Sequence, residues 1–204
     1  MENETDPYFH NVYTLGNWGV LGSVIFKNWR VEDLSGNNFD KFKNGLDFGY
    51  GGHPAALIHT AYDKARGIIY VLDEVYEKEL TNDVLADRVK NIIDKQVVVC
   101  DSAEPKSIRE LKNFGVTATG AKKGKDSVNY GIQWLQRQEI VVDVKCQNTK
   151  NELQKYKWKE DAGGNTLPVP VDKDNHLIDA LRYAYEDEMI ELAMYTFDRE
   201  GLGV

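Results

Sequence analysis

The sequence contains little cysteine, no long apolar run and no excess of positive charge, and each of these absences excludes a class of protein. Two cysteines, Cys100 and Cys146, are too few for a secreted disulfide scaffold and fit a reducing compartment. No apolar stretch approaches the ~20 residues that span a bilayer. The N-terminus also lacks the basic and then apolar segments of a secretory signal. We therefore expect a protein that is neither secreted nor anchored in a membrane.

The net charge of −8 argues against a basic protein that coats nucleic acid, because Lys and Arg make most phosphate contacts. The acidity is confined to the two ends of the chain, however. Residues 1–10 carry three acidic side chains and no Lys or Arg, and residues 186–200 carry six acidic side chains against one arginine. Residues 11–185 are neutral overall, so the net charge does not exclude a nucleic-acid partner for that part.

The spacing of apolar residues predicts an α/β fold. Three β-prone runs, at 45–49, 55–62 and 68–75, follow one another and predict an antiparallel meander. Thr149 and Glu152 have the spacing of a capping box, which predicts the start of a helix. A meander followed by βαβ units predicts a mixed sheet with helices on both faces. The patterns after the meander alternate between helix (81–94, 105–114, 126–138, 149–156 and from 174 past 185) and strand (97–100, 116–119 and 140–144).

The same patterns divide the chain into three parts. Residues 1–40 hold scattered aromatic side chains without periodicity, so we expect an irregular linker there. Residues 41–190 form the predicted α/β domain, and residues 191–204 form a predicted C-terminal tail. Within the domain, the glycines and prolines of residues 161–172 predict a loop.

Three aspartates stand where an α/β sheet would bring them together. Asp47 ends the first strand of the meander, and Asp101 follows the apolar run Val97–Cys100. Asp179 shares a helix face with His176, three residues earlier. Ligands of open α/β sheets bind at the carboxyl ends of strands, and clustered carboxylates favour a hard cation such as Mg²⁺ or Mn²⁺. A divalent-metal site is therefore one interpretation of this spacing.

Each of these residues also has a simpler interpretation. Asp47 precedes a glycine and is consistent with a turn, and Asp101 is consistent with a cap for the helix that follows it. Asp179 fits a solvated helix position, and His176 fits a hydrogen-bonding residue near a helix N-terminus. Spacing alone does not decide between these interpretations and the metal site.

Three segments resemble the nuclease domain of tailed-bacteriophage terminase large subunits, namely Gly45–Gly51, Val98–Pro105 and Asp174–Tyr183. The resemblance covers roughly residues 18–187, and its most specific part is the pattern His-x-x-Asp-Ala-x-Arg-Tyr that begins at His176. It implies a ribonuclease H-like fold and a metal-dependent endonuclease that cleaves double-stranded viral DNA during genome packaging in the host cytoplasm.

The resemblance also assigns roles to the candidate residues. Asp47, Asp101 and Asp179 would bind two Mg²⁺ or Mn²⁺ ions, and His176 would accompany them as a further catalytic residue. Asp47 would contact both ions, because the first strand of the meander is central in this fold. The expected mechanism is two-metal hydrolysis of a phosphodiester bond.

DNA must also reach this acidic site, and the chain offers a basic stretch at residues 105–125. That stretch holds six Lys or Arg residues against one Glu, and two glycines flank part of it. We expect flexible cations there to contact phosphates without reading base sequence, whereas a solvated loop is the alternative. The predicted DNA-binding residues are Lys106, Arg109, Lys122, Lys123 and Lys125.

Terminase large subunits carry an ATPase domain ahead of the nuclease, but this sequence has no Gly-x-x-x-x-Gly-Lys-Ser/Thr phosphate loop. We therefore expect the chain to be the nuclease portion, with residues 1–40 as the linker from that ATPase domain. The partners that the resemblance implies are double-stranded DNA, the ATPase domain, the small terminase subunit and the portal protein.

Three other functions compete with this expectation. A different ribonuclease H-like nuclease, such as a junction resolvase or a transposase, would share the fold and the acidic residues. A docking module of the packaging machine would lack activity, although the intact set of three aspartates argues against that. The glycines after Asp47 also suggest the phosphate loop of actin-like ATPases and sugar kinases, but those proteins need a second domain and a second phosphate loop.

Overall fold

The computed structural model describes residues 23–49, 51–124 and 126–190, which form an α/β domain. Its strands are β1 Trp29–Glu32, β2 Phe42–Asp47, β3 Pro54–Asp63, β4 Ile68–Lys78, β5 Val98–Cys100, β6 Ala118–Gly120, β7 Glu139–Asp143, β8 Trp158–Glu160 and β9 Thr166–Pro170. Its helices are α1 Asn82–Ile93, α2 Pro105–Asn113, α3 Ser127–Leu135, α4 Gln147–Lys155 and α5 His176–Ala184. The described helices include none that is long and apolar enough to cross a membrane.

Seven strands form one mixed sheet in the order β1-β7-β4-β3-β2-β5-β6. The predicted meander is confirmed as β2, β3 and β4, which pair antiparallel in sequence order. The remaining pairs are parallel, so β3 alone runs against the other six strands. The carboxyl ends of those six strands therefore lie at one side of the sheet, here called the carboxyl edge, which includes Asp47 and Cys100.

Both faces of the sheet are covered by helices, as the sequence predicts. Alternate residues of β3 point to opposite sides: Ala56 and Ile58 belong to a core with α3, α4 and α5, whereas Ala55 and Leu57 belong to a core with α1 and α2. This alternation is the period-two geometry of a strand. Each large aliphatic side chain buried in these cores contributes about 2 kcal/mol of stability.

The predicted irregular segment at residues 1–40 is wrong where β1 forms. This strand pairs in parallel with β7, with Trp29 opposite Ile140, and the side chains of Phe26 and Trp29 are buried. Four residues at a sheet edge are too few for their alternation to stand out in the sequence. Residues 1–22 and 191–204 lie outside the described residues, so the linker to an ATPase domain and the C-terminal tail stay predictions.

Two further local expectations are wrong. The loop expected at 161–172 contains β9, which pairs with β8 as a two-stranded ribbon. The prolines did not prevent this, because each strand of a two-stranded ribbon has one unpaired side that tolerates a missing N–H donor. Helix α4 begins at Gln147, ahead of the expected capping box, and the Thr149 hydroxyl donates instead to Glu74 Oε2 on β4 at 2.6 Å.

Candidate metal centre

The backbone brings Asp47 and Asp101 together at the carboxyl edge. Strands β2 and β5 are parallel neighbours with Leu46 opposite Cys100, so the next residue of each chain segment is an aspartate. The Asp101 amide continues the ladder by donating to the Leu46 carbonyl at 3.0 Å. The two carboxylates therefore start from adjacent strand ends, as the sequence predicts.

Helix α5 adds His176 to the same edge. The distance between His176 Nδ1 and Asp47 Oδ2 is 2.9 Å, and His176 Nε2 lies 3.3 Å from His53 Nδ1. The hydrogen bond with Asp47 raises the pKa of His176, although partial burial opposes the rise. This contact makes His176 a member of the acidic site as well as a residue at a helix start.

Asp179 lies in the first turn of α5 and is paired with Arg182 on the next turn. The Arg182 Nη2 and Nε atoms donate to Asp179 Oδ1 at 2.7 and 3.1 Å, and Asn175 Nδ2 donates to Oδ2 at 3.1 Å. Burial raises the pKa of Asp179 even though Arg182 opposes the rise. The interpretation of Asp179 as a solvated helix residue is therefore wrong, since its side chain is only 21% exposed and both of its oxygens accept hydrogen bonds.

Asp101 is held by three donors. Its Oδ1 accepts hydrogen bonds from the Ala103 amide at 2.8 Å and from Lys123 Nζ, and the Tyr183 hydroxyl lies 3.3 Å from Oδ2. Burial alone would raise the pKa of Asp101, but the hydrogen bonds from Lys123 and Ala103 outweigh it and hold that pKa below its ordinary value. Asp101 therefore does not cap α2 with its side chain, because Ala103 precedes that helix.

The Tyr183 hydroxyl of α5 lies beside Asp101, as His176 of the same helix lies beside Asp47. Burial raises the pKa of Tyr183, and the charges of Asp179, Asp101 and Asp47 raise it further. Even so, the described part of the chain holds no group of three or more His, Cys, Asp or Glu side chains arranged to ligate a metal ion. In this arrangement Asp101 pairs with Lys123, and Asp179 pairs with Arg182.

The donor chemistry nevertheless fits a hard divalent cation. All three candidates offer carboxylate oxygens, which Mg²⁺ and Mn²⁺ prefer. The Asp47 and Asp101 side chains are 14% and 18% exposed, so an ion can reach them from solvent. Lys123 and Arg182 neutralise two of the three negative charges, which explains how the carboxylates can be neighbours without a metal.

The predicted DNA-binding residues fall into different environments. Lys106 and Arg109 are exposed on α2, which begins four residues after Asp101, and Lys122 is exposed after β6. Lys123 belongs to the acidic site through its ion pair with Asp101. Lys125 lies outside the described residues, and DNA contact by the group stays a prediction.

The sequence interpretation missed Glu152 of α4, which fixes the start of α5. Its Oε2 accepts hydrogen bonds from the Leu177 amide at 2.9 Å and the Ile178 amide at 3.1 Å. Burial raises the pKa of Glu152 to about 7, although Ile178 and His176 oppose the rise. The spacing of Glu152 from Thr149 suggested a cap for its own helix. No local sequence pattern indicates that Glu152 caps α5, which begins 24 residues later.

Comparison with known proteins identifies relatives of this chain. The family described as "Terminase RNAseH like domain" matches residues 47–187. The chain is 39% identical over 178 residues to the terminase large subunit of Bacillus phage SPP1, covering 82% of this chain and 42% of that protein. It is 26% identical over 193 residues to the PBSX phage terminase large subunit of Bacillus subtilis strain 168, covering 90% and 45%. The chain thus spans less than half the length of these relatives.

A solved structure is similar in both sequence and fold. It is the nuclease domain of the g2p large terminase of bacteriophage SPP1 with bound Mn, with a TM-score of 0.74 and 38% identity. The match covers 80% of this chain and 98% of that one, so nearly the whole SPP1 domain has a counterpart here. The mixed sheet is accordingly a ribonuclease H-like fold, and the chain belongs to the terminase ribonuclease H-like domain family.

Proposed function

We propose that this chain is a divalent-metal-dependent endonuclease that cleaves double-stranded viral DNA during genome packaging, by two-metal phosphodiester hydrolysis. The observation that carries the proposal is the convergence at the carboxyl edge of Asp47 and Asp101, from the adjacent ends of β2 and β5, with His176 of α5, the helix that also carries Asp179. The likeness to a terminase nuclease domain with bound Mn supports it.

In this proposal Asp47, Asp101 and Asp179 hold two Mg²⁺ or Mn²⁺ ions. Asp47 is the candidate shared ligand, because β2 lies inside the sheet between β3 and β5. The ions would supply the positive charge that activates a water and stabilises the leaving 3′ oxygen.

The other residues of the site have supporting roles. His176 lies beside Asp47, whose hydrogen bond raises the pKa of the imidazole, and it is the proposed proton-transfer residue of the site. Arg182 orients Asp179 through two hydrogen bonds. Lys106, Arg109, Lys122, Lys123 and Lys125 are the proposed phosphate contacts that position DNA.

The test is cleavage of supercoiled plasmid by the full chain in Mg²⁺ or Mn²⁺, with chelator as the metal-free condition. We expect nicking that needs metal and falls in each of the variants Asp47→Asn, Asp101→Asn and Asp179→Asn. Each carboxylate supports several kcal/mol of transition-state stabilisation, so the loss should be about a hundredfold or more.

Asp40→Asn is the matched control, since Asp40 is exposed just before the N-terminal end of β2, at the end of the strand opposite to Asp47. It makes the same chemical change and should leave nicking unaltered. Absence of nicking in both metals, or full nicking by the Asp47 and Asp179 variants, would contradict the proposal. A strong preference for branched over linear DNA would favour a junction resolvase instead.

The setting of this activity belongs to the same proposal. The proposed partners are the terminase ATPase domain, the small terminase subunit and the portal protein, and the proposed place of action is the host cytoplasm. Binding of the chain to a purified ATPase domain, measured by calorimetry, tests the first of these partners directly.

A further inference from the structure

We propose that Lys123 is a built-in competitor for the divalent metal at Asp101: its ammonium neutralises Asp101 in the metal-free protein and leaves when metal binds. This inference rests on the proposed function, because it concerns the same metal site. It assigns Lys123 a role different from that of a general phosphate contact.

Among the residues that the structure describes, Lys123 contacts Asp101 and Tyr183, which both belong to the acidic site. Its Nζ is bonded to Asp101 Oδ1 and lies 5.3 Å from the centre of the Tyr183 ring. The Tyr183 hydroxyl in turn lies 3.3 Å from Asp101 Oδ2. The ammonium therefore occupies one of the two oxygens through which Asp101 would bind a metal, with an aromatic face beside it that also favours a cation.

Lys123 can leave its aspartate when a metal binds, whereas Arg182 cannot. The Arg182 side chain is 8% exposed and makes two hydrogen bonds to Asp179, so its removal would leave a buried charge unpaired. The Lys123 side chain is 40% exposed on a flexible four-carbon stem. It can return to water at little cost, and Asp101 Oδ1, which then keeps only the hydrogen bond from the Ala103 amide, becomes available to a metal.

The backbone just before Lys123 is held by two hydrogen bonds, so the start of its side chain stays in place while the ammonium moves. The Ala121 amide donates to the Cys100 carbonyl at 2.8 Å, which continues the end of β5. The Lys122 amide is bonded to the Glu186 carboxylate just beyond α5. These two bonds keep the stem of Lys123 beside Asp101, and the released ammonium stays within reach of a phosphate bound at the site.

The experiment measures Mn²⁺ affinity of the full chain by calorimetry, without DNA, for the wild type, Lys123→Met and Lys122→Met. Both variants lose one positive charge, but only the first loses the contact with Asp101. We expect Lys123→Met to bind Mn²⁺ about fivefold more tightly, the size expected for loss of a partly exposed ion pair, and Lys122→Met to change affinity much less. Equal affinities for the wild type and Lys123→Met would overturn the inference.

A second measurement follows the lysine itself. Acetylation of exposed amines, read residue by residue with mass spectrometry, should label Lys123 faster when Mn²⁺ is present, with Lys122 as the internal reference. Unchanged labelling of Lys123 under saturating Mn²⁺ would also overturn the inference.

One further variant separates this inference from the proposed function. If Asp101→Asn leaves Mn²⁺ affinity unchanged, the metal site is wrong and both proposals fail. If Asp101→Asn weakens binding but Lys123→Met does not strengthen it, the metal site stands and only the role of Lys123 fails.

Discussion

Gly45 of β2 lies directly against the backbone of Ala180 on α5. A Cβ placed on Gly45 would lie 1.8 Å from the Ala180 carbonyl oxygen, a distance that no packing adjustment of side chains can relieve. Ala180 immediately follows Asp179, and Gly45 lies two residues before Asp47. The contact between this glycine and this carbonyl therefore determines how closely the two aspartates approach each other.

We expect Gly45→Ala to destabilise the domain by about 3 kcal/mol or more, because α5 must move away from β2 to accept the methyl group. The measurement is urea unfolding followed by circular dichroism. Gly36→Ala is the matched control, since a Cβ there would meet no atom within 4 Å. Similar stability of the two variants would show that α5 does not depend on this close approach.

The pair formed by His176 and Asp47 predicts that, in the presence of chelator, the imidazole of His176 titrates above its ordinary pKa. Hydrogen bonding to Asp47 raises the pKa of His176 above its ordinary 6.5, whereas burial lowers the pKa of His59 below it. The stability from the His176 pair is therefore complete below pH 6.5 and is lost as the pH rises through the higher folded-state value.

Nitrogen-detected NMR of the imidazoles measures both values. In Asp47→Asn the pKa of His176 should fall while that of His59 stays unchanged, which makes His59 an internal control. A His176 that titrates at or below 6.5 in the wild type would mean that Asp47 is not its partner.

Glu152 also predicts a pH dependence of stability, but here burial rather than a hydrogen-bonding partner raises the pKa. Burial raises its pKa from 4.5 to about 7 in the folded protein, so the folded state holds the proton more tightly than the unfolded state. Stability is therefore lost as the pH rises from 4.5 to about 7, by about 3 kcal/mol. Glu152→Gln cannot ionise and keeps an oxygen for the Leu177 and Ile178 amides.

Urea unfolding of the wild type and Glu152→Gln between pH 5 and pH 8 tests this expectation. The variant should gain stability relative to the wild type as the pH increases. Parallel pH profiles would indicate that Glu152 ionises at its ordinary value.

The basic residues of α2 predict a change in salt dependence. Removing Lys106 and Arg109 together should weaken duplex binding and reduce the slope of log affinity against log salt by about 2, one for each lost phosphate contact. Fluorescence anisotropy in chelator, on an Asp47→Asn background that cannot cut, provides the measurement. The matched control is Lys27→Ala with Lys41→Ala, which removes the same charge just before the N-terminal ends of β1 and β2, away from the carboxyl edge. An equal effect of both pairs would contradict a specific role for α2.

The sequence predicted the fold and the site best where a regular side-chain periodicity ends in an aspartate at the end of a strand. The meander and the helix–strand alternation follow from side-chain periodicity, and Asp47 and Asp101 become neighbours because parallel strands β2 and β5 align Leu46 with Cys100. Strand β1 could not be predicted, because its stability comes from pairing with β7 and from burial of Trp29 rather than from its own four residues.

The partners of the acidic residues were less predictable, because they depend on tertiary contacts. The pairing of Arg182 with Asp179 is local, because the two residues are three positions apart on one helix. The pairing of Lys123 with Asp101 depends on Glu186 and the end of β5, which hold the loop in place. Glu152 acts on a helix distant in sequence, so its spacing from Thr149 suggested the wrong partner.

The acidic site is assembled from chain positions that are far apart, which has a consequence for folding. Asp47, Asp101 and Asp179 belong to β2, to the end of β5 and to α5, the last described element in chain order. Contacts between such distant positions form only after the long stretches of chain between them have been closed into loops. A partly synthesised or partly unfolded chain therefore lacks the proposed nuclease site altogether, and DNA in the cell meets that chemistry only once the domain is complete.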